Sequence, residues 1–303
     1  ECVYYGTSAT TSIGEYDGNV YVAYGGGDTT YVYGSTTAWT VSTLAGDAKY
    51  AHFFAVSRQT LWKSRKDSGN AAHNFLASST NPINGGSWST EYTVGSLDKE
   101  ITGLFNANDT LIVGKEGGLF AYLREYSDGV TADLFINLLT EFETNPSTEN
   151  FQRGAVYKGG LFLTTAKQGL YELRQFQIID WSGLLPISPR TSTNHGGRLR
   201  ALAAGAHELW VVEDSALADT STTKTSWLMS LRQDGNGHWQ LHTLSDMAIG
   251  DINVLQEVAD ANGNLMALGR LYNSTLADYT FRTYQWVVPD RTAAPSWEAN
   301  VYS

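Results

Sequence analysis

Cysteine is almost missing from this sequence: Cys2 stands alone, so no disulfide can cross-link the chain internally. That count fits folding in a reducing compartment, and it equally fits a protein that works outside a cell on packing alone. Proline is scarce, at 6 residues, and no apolar run approaches the ~20 residues that a membrane-spanning helix needs. The first residues, ECVYYGTSATTS, lack the basic-then-apolar order of a secretion signal, and a chain that opens on Glu1 is expected to have been trimmed, processed or taken from a longer product. Positive charge is also in deficit. Twenty Lys and Arg against 31 Asp and Glu leave a net charge of −11, so a phosphate backbone would be repelled over most of the surface and no nucleic-acid partner is expected. Sustained helical heptads and low-complexity tracts are absent as well.

What is abundant is glycine, 30 residues, and tyrosine, 17, which suits strands and turns. One stretch organises the rest. ITGLFNANDTLIVGKEGGLFAY (101–122) reads as three short strands: an apolar run, an Asn-Asp turn, a second run, a Gly-rich turn and a third run. RGAVYKGGLFLTTAKQGLYEL (153–173) repeats that order, with Gly159-Gly160 at the place of Asn108-Asp109 and Gly169-Leu170-Tyr171 at the place of Gly118-Leu119-Phe120. Looser copies follow the same frame at 199–215 around Gly205, at 252–269 around Asn262-Gly263 and at 13–27 around Asp17-Gly18. Asp-Gly and Asn-Gly between alternating apolar runs are strong hairpin signals, because both central residues of a type I′ turn need positive φ. KYAHFFAVSRQTLWKS (49–64) is the weakest copy, with a glycine-free turn expected at Ser57-Arg58.

A fourth strand per unit is marked by a small or polar residue, then Trp, then alternation: AWTVST (38–43), SWSTEYTV (87–94), HWQLHTL (238–244) and SWEANVY (296–302). Four antiparallel strands per unit, repeated at propeller-blade spacing, predict an all-β chain folded as a β-propeller of about six blades, with five to seven compatible with the spacing. A single domain over 1–303 then uses nearly the whole chain. The tryptophans are expected to pack between blades rather than to meet a ligand.

The connections are read in the same frame. ECVYYGTS (1–8) is a weak edge strand, and Gly25-Gly26-Gly27-Asp28 a turn without phosphate-loop spacing. SRKDSGNAAHNFLASSTNPINGG (64–86) is expected as a polar insertion between the third and fourth strands of its unit, and SALADTSTTKT (215–225) as a second one. In 123–151, Leu134, Ile136 and Leu138 alternate as a fourth strand would, although Leu134, Leu138, Leu139 and Phe142 also fit one helical face. Pro186 and Pro189 mark a boundary between blades, and Asp234-Gly235 a further turn.

Signals for chemistry are sparse. His238 and His242 share a strand face but stand about 13 Å apart, too far to chelate one metal. DANGN (260–264) lacks the acidic last ligand of a calcium loop, and Ser64, Asp67 and Gly69 miss the spacing of a sialidase-like Asp-box turn by one residue. Asn273-Ser274-Thr275 has the form of a glycosylation sequon and is expected to be an unmodified loop if the source is bacterial or viral. No cofactor, no metal set and no catalytic residue is assigned from the sequence. A glycosidase pair of carboxylates leaves no sequence signature, and a sialidase-like site would add an arginine grip, for which Arg153, Arg190 and Arg198 are the candidates.

Three segments carry a family resemblance: TENFQRGAVYKGGLFLTTAKQGLYEL, NHGGRLRALAAGAHELWVVEDS and GNGHWQLHTLSDMAIGDINVLQ. They resemble β-propeller proteins, kelch-like or WD-like in outline, that are virion components of tailed bacteriophages. The match lies in Gly197, Arg198, Ala201, Leu202, Ala203 and Ala204, followed by Leu209, Trp210 and Val211, and covers about 100–270. The resemblance implies a non-enzymatic structural or adhesion component of a virion: a tail, fibre or capsid-surface protein assembled in the host cytoplasm. Its implied partners are other virion proteins, copies of itself and host surface glycans, with no membrane insertion. The alternative is a glycan hydrolase or lyase, sialidase-like or depolymerase-like, on the same scaffold, and a third reading is an interaction hub inside a cell.

Overall fold

The computed structural model describes residues 12–23, 31–34, 41–43, 51–65, 75–82, 88–89, 91–127, 130–139, 142, 146–166, 169–185, 198–214, 226–233, 238–247, 251–257, 265–273, 275, 278–287 and 296–300. Among them the regular elements are strands, apart from one 3₁₀ turn at Ser182–Leu184. The chain divides into two compact units, Glu1–Gln152 and Arg153–Ser303.

Three sheets follow one another in the first unit. They are β1 (Ser12–Tyr16), β2 (Asn19–Ala23), β3 (Tyr31–Gly34) and β4 (Val41–Thr43); then β5 (Ala51–Ser57), β6 (Thr60–Arg65), β7 (Phe75–Ser79) and β8 (Tyr92–Thr93); then β9 (Ile101–Ala107), β10 (Thr110–Lys115), β11 (Gly118–Ser127) and β12 (Val130–Leu139). The second unit holds β13 (Gly154–Tyr157), β14 (Gly160–Thr164), β15 (Leu170–Arg174) and β16 (Gln177–Asp180); β17 (Leu199–Ala204), β18 (Leu209–Asp214), β19 (Ser226–Gln233) and β20 (Trp239–Met247); and β21 (Asp251–Glu257), β22 (Leu265–Asn273), β23 (Asp278–Val287) and β24 (Ser296–Asn300). Every sheet is an antiparallel meander of four consecutive strands. Neighbouring sheets meet through their first strands, β1 with β5 and β5 with β9 in one unit, β13 with β17 and β17 with β21 in the other. Each unit is therefore a succession of blades whose leading strands face one another, as the repeat predicts.

The hairpin turns explain why the meander forms. Asp17-Gly18, Arg58-Gln59, Asn108-Asp109, Lys158-Gly159 and Gln175-Phe176 place both central residues at positive φ, between 48° and 79°. That is the type I′ geometry, whose twist matches the flanking strands. Two of these turns are displaced by one residue from the expected place, the first toward the C-terminus and the second toward the N-terminus. Ser57 pairs with Thr60 and its hydroxyl donates to the Asp109 carbonyl at 2.7 Å, which keeps Ser57 in the strand and moves the turn to Arg58-Gln59. Gly160 likewise belongs to β14 rather than to a turn: a Cβ there would lie 2.2 Å from Glu172 Oε1, so glycine is required for packing.

The stretch 64–86 also departs from expectation. It contains the third strand of its sheet, β7, and begins with the last two residues of β6. FLASS carries only two bulky side chains, so its period is faint, yet Leu76 and Ala77 are buried. The 123–151 stretch holds a strand, β12, with Leu134 and Ile136 on one exposed side. Expected fourth strands appear as β4, β8, β20 and β24. The edge strand expected at 1–8, Cys2, the 25–28 turn, Pro186, Pro189, Asp234-Gly235 and the 215–225 insertion lie outside the described residues.

The core sits on the second strands. In β14 and β18 every residue is buried, and in β10 all but the first are; each of these strands is hydrogen-bonded to a neighbouring strand on both sides.

Candidate functional site

Tryptophans fill the spaces between blades. Trp62 of β6 meets Tyr122 of β11 at 4.7 Å between ring centroids and Tyr92 of β8 at 5.7 Å, and Phe135 of β12 closes the group against Tyr122 at 5.4 Å. Burial raises the Tyr122 phenol well above its ordinary pKa, and its hydroxyl donates to Asp133 Oδ1 at 2.6 Å, a bond that further favours the protonated form. In the second unit Trp239 of β20 packs against Phe162 (5.5 Å), Tyr157 (5.9 Å) and Trp181 (5.9 Å) of the preceding blade. These rings are mortar between sheets, as expected from the sequence.

A cavity of about 270 Å³ opens where β10 turns into β11, against the connection from β8 to β9. Lys115, the last residue of β10, is 1% exposed. Its ammonium donates to the Val94 carbonyl at 2.5 Å and the Ser96 carbonyl at 2.6 Å, fastening that connection to the sheet. Burial pulls its pKa down to about 8, against the opposing influence of Asp98 and Glu116. Gly95 lies between the two carbonyls at φ +57°, and a Cβ on it would meet Phe120 Cζ at 2.6 Å. The ring of Phe120 is thus the apolar wall of the cavity, and the rim carries Ser96, Asp98 and Lys99. The Ser96 hydroxyl donates to Asp98 Oδ1 and holds that exposed carboxyl below its ordinary pKa, with Lys99 at 3.5 Å adding to the effect.

In the second unit, charges gather at the start of the leading strands. Asp214, at the end of β18, accepts the Arg198 backbone N–H on Oδ1 and Arg200 Nε on Oδ2 at 2.7 Å. Arg153, one residue before β13, donates its Nε to the Arg200 carbonyl at 3.2 Å. Burial depresses the Arg153 pKa, and the charge of Arg200 depresses it further. Of the arginines singled out from sequence, Arg153 and Arg198 are therefore brought to the same place, with Arg200 between them, while Arg190 lies outside the described residues. A further buried charge, Glu172 of β15, accepts Trp181 Nε1 at 2.9 Å and Arg174 Nε at 2.6 Å.

The remaining candidates do not converge. Ser64 is a buried strand residue whose Oγ accepts the Phe53 N–H at 3.0 Å, whereas Asp67, Gly69 and 260–264 lie outside the described residues. His238 is exposed just before β20, which also carries His242. Thr275 of the sequon is exposed. Among the described residues no three His, Cys, Asp or Glu side chains gather as a metal site, and no helix is long and apolar enough to cross a membrane. Lys115 was invisible to motif reading. Its one signal is a lysine closing the otherwise apolar run TLIVGK.

No protein-family model matches the sequence, and no curated protein matches it either. Solved structures do match in shape. A protein from Lactobacillus plantarum aligns over 99% of this chain and 86% of its own, with a TM-score of 0.61 at 12% identity. Virginiamycin B lyase from Staphylococcus aureus aligns over 97% of this chain and 85% of its own, at 0.56 and 10%. The extracellular domain of a one-component system from B. thetaiotaomicron aligns over 95% of this chain and 40% of its own, at 0.53 and 13%. At such identities the likeness is one of fold. With six four-stranded antiparallel sheets in sequence order, that fold is a β-propeller.

Proposed function

We propose that the chain is a docking module without a reaction of its own: a single propeller domain in a tailed-bacteriophage virion, at a tail, fibre or capsid-surface position. Its partners would be other virion proteins, copies of itself and host surface glycans. The observation that carries the docking part is how three of the buried charges are used. Lys115 fastens the β8–β9 connection, Asp214 fastens the start of β17, and Glu172 fastens Trp181 next to the 3₁₀ turn. Each stiffens a join between strands, which suits a platform that presents fixed surfaces. The virion part rests on the sequence resemblance over 100–270, and a net charge of −11 agrees with protein or glycan partners rather than nucleic acid.

The second reading, a glycan hydrolase or lyase, draws on the Arg153–Arg200 pair, which has the chemistry to hold an acidic sugar. One experiment separates the two. Antibody raised against the purified protein is applied to gradient-purified particles from induced cultures, and the same protein is incubated with host capsular polysaccharide. Labelled particles with intact polysaccharide support the docking module. Unlabelled particles, or polysaccharide cleavage abolished by a single Asp or Glu substitution, overturn it.

A further inference from the structure

We infer that Arg153 is the anchor of an oxyanion-binding site in the second unit, at the facing ends of β13 and β17, and that the ligand it takes carries a carboxylate or phosphate group. The inference is independent of the virion reading. It starts from Arg153 itself: the chain has 31 acidic residues against 20 basic ones, yet among the described residues none of those acids pairs with this guanidinium. Asp214 spends Oδ2 on Arg200 Nε and Oδ1 on the Arg198 backbone N–H. Arg153 is half-buried, and among the described residues its single side-chain hydrogen bond is the one from Nε to the Arg200 carbonyl. Among the described residues no carboxylate pairs with it, and its two Nη groups have no acceptor.

Such a guanidinium is unusual. Removing a cation from water is repaid only by an opposite charge with hydrogen bonds to match, and Arg153 has instead a second cation beside it. Its position is also fixed. Nε is held by the Arg200 carbonyl, and its own carbonyl accepts the Thr164 N–H at 3.1 Å, so the fork is pre-set rather than free to swing into solvent. A planar fork with both Nη groups open matches two oxygens of one carboxylate or phosphate, which is the recognition arginine performs and lysine does not. Asp214 keeps Arg200 in place, and with it the carbonyl that holds Arg153 Nε.

The test uses the full 303-residue chain at pH 7. Sodium glucuronate and sodium phosphate are titrated in separate arms, with sodium chloride holding the ionic strength constant, and binding is read by calorimetry and by thermal shift. Wild type is expected to bind at least one of them with millimolar affinity and to gain several degrees. Arg153→Met is expected to weaken binding at least tenfold while melting no lower than wild type without ligand, because it removes an unpaired, half-buried charge. A merely structural Arg153 would lower the melting temperature of the variant. Should Arg153→Met not fold, Arg153→Lys retains the charge but not the fork and is expected to lose most of the affinity. Binding of glucuronate alone identifies a carboxylate ligand, binding of phosphate alone a phosphate ligand, and binding of both supports the shared chemistry. No binding of either, or equal binding by wild type and both variants, overturns the site.

Discussion

Lys115 gives the sharpest stability prediction, because its contribution depends on pH in a direction opposite to that of most lysines. In the folded chain it loses its proton near pH 8, against an ordinary value of 10.5, since burial penalises the ammonium. Between those two values the unfolded chain binds more protons than the folded one, so stability rises with pH through the window and levels off above it. Below about pH 8 both states are protonated and the penalty is constant. Two and a half pH units correspond to ~3 kcal/mol. The ammonium lies on the wall of a water-accessible cavity, and screening brings the expected gain to ~1–2 kcal/mol. The perturbation is Lys115→Met, which removes the titrating group while filling much of the same space. Urea unfolding of wild type and variant, followed by tryptophan fluorescence at pH 7, 8, 9, 10 and 10.5, gives the difference in unfolding free energy at each pH. Every other titration is common to both proteins and cancels. The wild-type minus variant difference should be flat up to about pH 8 and then climb by ~1–2 kcal/mol up to pH 10.5. A difference that stays level, or falls, would falsify the claim that Lys115 is charged and desolvated at neutral pH.

Three further predictions follow from the same packing. Gly95→Ala forces a side chain into positive φ and against the Phe120 ring, so it should cost ~2–3 kcal/mol, read as a lower urea midpoint. Glu172→Ala should cost ~2 kcal/mol by stranding Trp181 Nε1, and Gly160→Ala a similar amount by displacing Glu172. The double variant should cost less than the sum of the singles, because the space that Cβ of residue 160 needs is vacated, and additive losses would refute that contact. Trp239→Ala should lose ~3 kcal/mol by removing the ring that Tyr157, Phe162 and Trp181 surround, measured by calorimetric melting; a loss under ~1 kcal/mol would refute its role between blades.

How much of this was legible in the sequence depends on the range of the interaction concerned. Turns are local: Asn108-Asp109 and Asp17-Gly18 declare themselves because residues that tolerate positive φ stand between alternating runs. Where the turn carries no such residue, as at Arg58-Gln59, register is set from outside the hairpin. The Asp109 side chain there accepts the Arg58 N–H at 2.6 Å from the next blade, and no pattern within 49–64 reports it. β7 went unseen for a related reason, since FLASS is held by its pairing with β6 rather than by its own period. The functional groups lie at the far end of this scale. Lys115 reaches carbonyls 19 and 21 residues away, and Arg153 reaches a carbonyl 47 residues away. A propeller makes such reach routine. It brings the ends of leading strands from successive blades side by side, so residues one repeat apart become neighbours while nothing near them in sequence signals it. The repeat locates where such residues will meet, at Arg153 before β13 and Arg198 before β17, but not which atoms do the meeting. Arg198 contributes its backbone to Asp214, and it is the neighbouring Arg200 whose side chain forms the ion pair. Sites on this fold are therefore to be sought by aligning the blades on one another and comparing equivalent strand ends, rather than by scanning the chain for contiguous motifs.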